Sequence, residues 1–434
     1  MKDYKETFAL ESICLQNVKC FKGKHQIDFV DQEGKPALWT VILGNNNTGK
    51  TTLLRLLAKK NILLISDKPR DDSTLWEDHA EIEELMKVAG DNHNISCFAL
   101  NGFKGEVGSI ESFVPIGLIT FYMSSSNFID KYTSPRSDED NNVNSNQITK
   151  RYIDAYGVSR LTSETTLSDY SKYDDTTKTL FFNNQELTNV EEWLLQLDYA
   201  KKSEVIGADK RLEQLVNTLT SKILPDIESV KFETSKDFKS FALFKTPYGW
   251  IPLEGLSHGY RTTMTWVVDL AKRMFDRYPE LDNPLHGPAI VLVDEIDLHL
   301  HPEWQRKIIK YLSDLFPNTQ FIVTAHSPLI VQSAENVNLI MLEKDDETGS
   351  INVRQQFGSF QGWTVEEILR ELMDMGEKTR SDRFLKLLEQ FEQGLNEENY
   401  EKAKAAYDEL DSILHPASSQ RKLLSIQLSS LVPA

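Results

Sequence analysis

The octapeptide Gly44-Asn45-Asn46-Asn47-Thr48-Gly49-Lys50-Thr51 limits what this chain can fold into more than any other stretch. It fits G-x4-G-K-[ST] in full, and its surroundings agree with it. Before it lies an apolar run, Leu-Trp-Thr-Val-Ile-Leu at 38–43; after it, Leu53, Leu54 and Leu57 recur at helical spacing. A run that is apolar throughout suits a strand buried on both faces of a mostly parallel sheet. The octapeptide is therefore the turn from a buried strand into a helix. In that position Gly44 and Gly49 let backbone N–H groups turn inward around phosphates, and the helix N-terminus adds the positive end of its dipole. Lys50 is placed to reach β and γ phosphates and Thr51 to take Mg²⁺, with Thr52 beside it in the first turn. ATP and Mg²⁺ are the expected cofactors.

A second apolar run, Ala-Ile-Val-Leu-Val at 289–293, ends in Asp294 and Glu295. Asp294 then sits at the exposed carboxyl end of a strand, where it can hold Mg²⁺ through water. Glu295 beside it can orient or deprotonate a water attacking the γ phosphate. Leu256-Ser257-His258-Gly259-Tyr260-Arg261 opens a helix expected over 259–278. A serine hydroxyl, a bare glycine backbone and a helix N-terminus make an anion site, although the six residues read alone are a turn. Thr324-Ala325-His326-Ser327-Pro328 closes another buried strand, expected at 320–324. His299 and His301 could be proposed as metal ligands, but a pair on a loop lacks the third ligand and the spacing of a zinc site.

In this order and context the blocks resemble those of ABC-type ATPases. Residues 256–261 are similar to the signature motif, LSGGQ in its common form, with His258 where the first glycine usually stands. The resemblance implies that Ser257, His258 and Gly259 cover the γ phosphate bound by the opposite protomer. It implies that Asp297 is the D-loop residue at the dimer seam and His326 the switch histidine at the γ phosphate. Glu295 and His326 would then be the catalytic residues, and Thr51 and Asp294 the metal ligands. The start Asn17-Val18-Lys19-Cys20-Phe21 and the block Asp297-Leu298-His299-Leu300-His301-Pro302 look like the RecF, SMC and OLD branch rather than transporters. The run Tyr156-Gly157-Val158-Ser159-Arg160 looks like that of OLD-like and Septu defence ATPases. That likeness implies that Arg160 contacts phosphate or the neighbouring subunit; a surface turn is the plain alternative.

The expected fold class is α/β: an ABC-type P-loop ATPase core over 1–355, with a mixed sheet and flanking helices. It carries an insertion around 61–250 with a mobile polar loop near 134–147. Residues 356–434 read as charged helices, an all-α extension suited to docking a partner. With 40% hydrophobic and 26% charged residues the composition is globular. No run of about 18 uncharged apolar residues and no basic N-terminus followed by an apolar core is present, which predicts a cytoplasmic protein without membrane contact. Cys14, Cys20 and Cys97 are scattered and suggest no disulfide framework. A net charge of −18 disfavours direct contact with nucleic acid, so DNA is expected indirectly or through a complex.

A full OLD nuclease would add a Toprim domain, an acidic metal cluster on an α/β fold, where 360–434 shows helical periodicity. A RecF- or SMC-like repair ATPase would show long heptad arms or a basic DNA surface. The resemblance to Septu ATPases implies an ATPase, with hydrolysis slow, that forms a dimer or dimer-based higher oligomer around ATP. It would regulate a separate HNH nuclease of the PtuB kind in antiphage defence. The alternatives are the repair ATPase and the OLD-like nuclease ATPase.

Overall fold

The computed structural model describes residues 8–58, 94–100, 118–125, 153–162, 176–220, 226–345, 347–375 and 380–431. The polar loop expected near 134–147 lies outside them. The strands in chain order are β1 (Phe8–Val18), β2 (Phe21–Asp28), β3 (Trp39–Gly44), β4 (Asn94–Leu100), β5 (Leu118–Ser125), β6 (Ile153–Tyr156), β7 (Leu161–Thr162), β8 (Glu186–Leu187), β9 (Ser229–Thr234), β10 (Ser240–Thr246), β11 (Gly249–Pro252), β12 (Ala289–Val293), β13 (Thr319–Thr324), β14 (Val337–Lys344) and β15 (Ile351–Gly358).

A six-stranded sheet in the order β15-β14-β3-β13-β12-β6 forms the centre. Its neighbours run parallel except β15, which pairs antiparallel with β14. The apolar runs read from the sequence become β3, β12 and β13, all buried along nearly their whole length. Such strands need apolar residues on both faces, which is why their sequences do not alternate. β15 at the edge alternates buried and open positions instead. Because the strands are parallel, β3, β6, β12 and β13 all release their chains at one edge of the sheet, where ligands of open α/β sheets gather.

One face of this sheet offers Ile42, Ile290, Leu292, Ile322, Ile340 and Leu342, spaced two apart within strands, to a single apolar core. Across it lie Leu53, Leu54 and Leu57 of helix α1 (Lys50–Ala58), with Ile13, Leu15, Phe21 and Ile27 from β1 and β2. Those two strands belong to a four-stranded antiparallel sheet, β2-β1-β5-β4. On the opposite face Trp39 stacks on Phe321 with ring centroids 4.5 Å apart, and its indole N–H donates to Ser313 Oγ at 2.7 Å.

The helices α2 (Val190–Lys202), α3 (Ala208–Thr220) and α4 (His258–Arg277) follow β8, β8 and β11 in the chain, and a three-stranded antiparallel sheet, β11-β10-β9, precedes α4. Trp193 of α2 meets Phe275 of α4 at 5.9 Å between centroids. The loop after β12 leads into a short turn, Pro302–Gln305, followed by α5 (Ile308–Leu315). Lys307 leaves the helical backbone at φ −120°, and the Gln305 amide is spent on the carbonyl of Leu300 at 3.0 Å. Helix α6 (Pro328–Ser333) follows β13.

Residues 364–434 form a second compact unit, and the first runs to Trp363 because β15 still belongs to the central sheet. The second unit opens with α7 (Val365–Leu372), whose capping box pairs Thr364 with Glu367. Its helices α8 (Asp382–Asn396), α9 (Tyr400–Ile413) and α10 (Ser419–Ser429) enclose Leu387, Phe391, Ala403, Ala406, Leu410 and Leu424. Gly394 lets α8 and α9 approach closely: a Cβ there would lie 2.6 Å from the Ala403 nitrogen. We predict that Gly394→Val destabilises this unit by about 1–3 kcal/mol, the usual penalty for overpacking. Chemical denaturation followed by helical circular dichroism reads it; an unchanged transition would show that the helices can part freely.

Candidate functional site

The phosphate loop leaves β3 at Gly44, where a side chain would have no room. A Cβ at Gly44 would fall 2.5 Å from Thr48 Oγ1 and 2.6 Å from the Leu342 carbonyl. At Gly49, with φ +95°, it would fall 2.6 Å from Cys20 Sγ. Asn45, Asn46 and Asn47 are exposed at the loop's outer turn, and Asn47 adopts a left-handed φ of 65°. Thr48 ties the turn by donating from Oγ1 to the Asn45 carbonyl at 2.8 Å. Lys50 is buried, and its ammonium donates to the carbonyls of Gly44 at 2.6 Å and Asn45 at 3.0 Å. Burial lowers its pKa, and Asp294, Glu295 and Asp297 partly offset that shift. Thr51 and Thr52 follow in the first turn of α1 and are half-buried.

Asp294 ends β12 with both carboxylate oxygens engaged. Thr51 Oγ1 donates to Oδ2 at 2.8 Å, and Thr324 Oγ1, at the end of β13, donates to Oδ1 at 2.6 Å. The same Thr324 hydroxyl accepts the Glu295 N–H at 2.7 Å. Glu295 itself is left-handed, φ 49°, and its side chain stays 35% exposed, 3.9 Å from the His326 ring nitrogen Nε2. The His326 N–H donates to Asp297 Oδ2 at 3.1 Å, while the other oxygen of Asp297 is buried with no partner among the described residues. Gln305 braces this corner by accepting from Ser327 Oγ at 2.6 Å while its amide donates to Leu300. The oxygen donors of Thr51 and Asp294 suit Mg²⁺, a hard cation that takes one or two protein ligands and completes its shell with phosphate and water.

The segment 256–261 lies at the start of α4, with Ser257 as its N-cap accepting from Tyr260 N at 3.4 Å. It is seated on the loop after β12. The ring of His258 meets that of His299 edge-on at 4.6 Å, and a Cβ on Gly259 would strike the His299 carbonyl at 2.3 Å. Tyr260 and Trp304 make a second edge-on contact at 4.1 Å. His299 and His301 have separate tasks: His301 Nδ1 accepts from Glu303 N at 3.4 Å and caps the turn that follows. Burial and the adjacent His258 push the His299 pKa down.

Arg160, for which the resemblance implied a contact with phosphate or the neighbouring subunit, turns its side chain into the chain's own interior. It is 3% exposed, and its guanidinium donates to the carbonyls of Gly157 at 3.1 Å, Asp294 at 2.5 Å and Glu295 at 2.8 Å. Burial lowers its pKa to about 10, with Asp294 acting in the opposite direction, so it stays charged at neutral pH. The structure thus brings Lys50, Thr51, Asp294, Glu295, Asp297, His326 and Arg160 to one sheet edge. Sequence reasoning missed Thr324, although a lone hydroxyl ending an apolar strand beside the strand of Asp294 was a usable signal.

A glycine-built loop, a lysine and a hydroxyl at a helix start, and a carboxylate on the neighbouring strand end define a P-loop nucleotide-binding domain. The chain belongs to the family described as "AAA domain, putative AbiEii toxin, Type IV TA system", which matches residues 39–332. It is similar to the Septu protein PtuA of Bacillus thuringiensis, 39% identical over 208 residues covering 46% of this chain and 52% of that protein. A second Septu protein PtuA, from Bacillus mycoides, is 26% identical over 375 residues, 85% of this chain and 45% of that one. The "Retron Ec83 probable ATPase" of Escherichia coli is 32% identical over 203 residues, 44% of this chain and 36% of that protein. The chain spans about half the length, or less, of these curated relatives.

Thr324→Val should leave a buried acceptor on Asp294 and a buried donor at Glu295 unpaired, at about 1–3 kcal/mol for each group. Urea denaturation of the variant measures the loss; a stability equal to that of the wild type would contradict the hydrogen-bond assignment.

Proposed function

We propose that this chain is an ATPase that binds Mg-ATP at the phosphate loop and pairs with a second copy around the nucleotide. The observation that carries the reading is the Thr51 hydroxyl donating to Asp294 at 2.8 Å beside the buried Lys50 ammonium. Lys50 exchanges the carbonyls of Gly44 and Asn45 for β and γ phosphate oxygens, while the loop N–H groups and the start of α1 take the remaining charge. Thr51 and Asp294 would hold Mg²⁺, which supplies neutralisation of phosphate charge. Glu295 orients the attacking water and accepts its proton, and His326 lies beside it to meet the γ phosphate.

Pairing follows from the start of α4. Ser257 and Gly259 present a hydroxyl and helix N–H groups that would cover the γ phosphate held by the other copy. His258, larger than the glycine usual there, makes closure and turnover slow. The buried oxygen of Asp297, unpartnered among the described residues, supports a seam at this loop, since a donor from the second copy would satisfy it. The similarity to Septu PtuA proteins supports a role in antiphage defence, in which nucleotide state controls a partner HNH nuclease of the PtuB kind. The helical unit 364–434 would be its docking domain, and DNA would be reached through that partner.

Lys50→Ala should abolish ATP binding, whereas Glu295→Gln should bind ATP about as tightly as the wild type and hydrolyse it about 10²–10⁴-fold more slowly. Calorimetric titration together with phosphate release separates the two; a Glu295→Gln variant that turns over at the wild-type rate would remove Glu295 from the reaction.

A further inference from the structure

We infer that Arg160 is a positioning residue for ATP hydrolysis: its guanidinium fixes the backbone turn that presents Asp294 and Glu295. The inference rests on the ATPase reading above. Glu295 is held at φ 49°, a backbone region that non-glycine residues keep only where their surroundings determine it. The surroundings are the Thr324 hydroxyl on its N–H, and Arg160 with the Leu298 N–H, at 3.0 Å, on its carbonyl. Arg160 also holds the carbonyl of Asp294, so one planar group spans the two peptide units that aim the paired carboxylates. It is itself over-determined: left-handed at φ 40°, bonded through Nε to Gly157, and set 5.9 Å from the Trp266 ring.

The other end of the same short segment is tied to α4. Tyr156 is fully buried, and its hydroxyl donates to Asp269 Oδ2 at 3.0 Å. Asp269 also accepts from Arg273 Nε at 2.6 Å, from the Thr188 N–H at 3.1 Å and from the Thr188 hydroxyl at 2.6 Å. Gly157 has no room for a side chain, since a Cβ would fall 2.1 Å from the Thr179 carbonyl. Residues 156–160 therefore form a stiff link from the helix that begins at the signature segment to the turn that carries Glu295. A movement of α4 would reach the attacking-water position along this link.

The test uses the full chain with Arg160→Lys and Arg160→Met, each in the wild-type and the Glu295→Gln backgrounds. Lysine keeps the charge but cannot span three carbonyls as the guanidinium fork does. Melting temperature, ATP affinity, and single-turnover and steady-state rates are read for every variant. Arg160→Met should lower kcat by about a hundredfold, the scale of a misplaced catalytic group, with KM and ATP affinity nearly unchanged. Arg160→Lys, melting like the wild type, should lose less. In the Glu295→Gln background either substitution should have little further effect, because residues that act through one group are not additive. An Arg160→Lys variant that folds and keeps wild-type kcat would overturn the inference. So would a fold-loss of the same size in both backgrounds, or a loss confined to ATP affinity. A wild-type chain that does not bind ATP would sink the ATPase reading itself, a result distinct from these.

Discussion

The carboxylate of Asp294 is the constraint on which the rest of the site depends. It is 4% exposed, and burying a carboxylate is costly unless its oxygens are hydrogen-bonded. Thr51 supplies one hydroxyl from α1 and Thr324 the other from β13, so a single side chain fastens three elements together. That arrangement requires β12 to lie beside β13 and α1 to start at the same sheet edge. The sheet order places β12 next to β13 and β13 next to β3, which is the topology that satisfies it. The hydrophobic core below, from Ile42, Ile290, Ile322 and Leu54, fixes the depth at which these ends emerge.

A second buried carboxylate, Asp269, organises the neighbouring layer in the same manner, with Tyr156, Thr188 and Arg273 as its donors. The two networks meet in the short stretch from Tyr156 to Arg160. Buried polar networks that are fully satisfied specify one arrangement, because losing any member leaves unpaired groups in a low-dielectric interior. The nucleotide edge is therefore rigid on its β6 and β12 side. The side chains of Glu295 and His326 are left partly open to solvent, where a nucleotide could reach them.

The elements legible in the sequence are those whose burial leaves a local trace. β3, β12 and β13 appear as unbroken apolar runs because both faces are covered, and α4 begins one residue before its expected start because Ser257 caps it. The full length of β2 is hard to read locally, since its partial exposure replaces apolar residues with polar ones. The break between the Pro302 turn and α5 has no signal in periodicity, because it is made by side-chain bonds to the preceding loop. Arg160 shows the limit most clearly. Its motif stands out in the chain, but two of its three carbonyl partners lie 134 and 135 positions away, and no local pattern tells an arginine bonded inward from one aimed at a neighbour.

In the proposed function, nucleotide would bring two copies of this chain together through the phosphate loop and the start of α4. Light scattering of the purified chain with and without a non-hydrolysable Mg-ATP analogue measures this directly. Pairing around nucleotide requires a particle mass that doubles when the analogue saturates the site and returns when it is removed; a mass unchanged at saturation would rule pairing out.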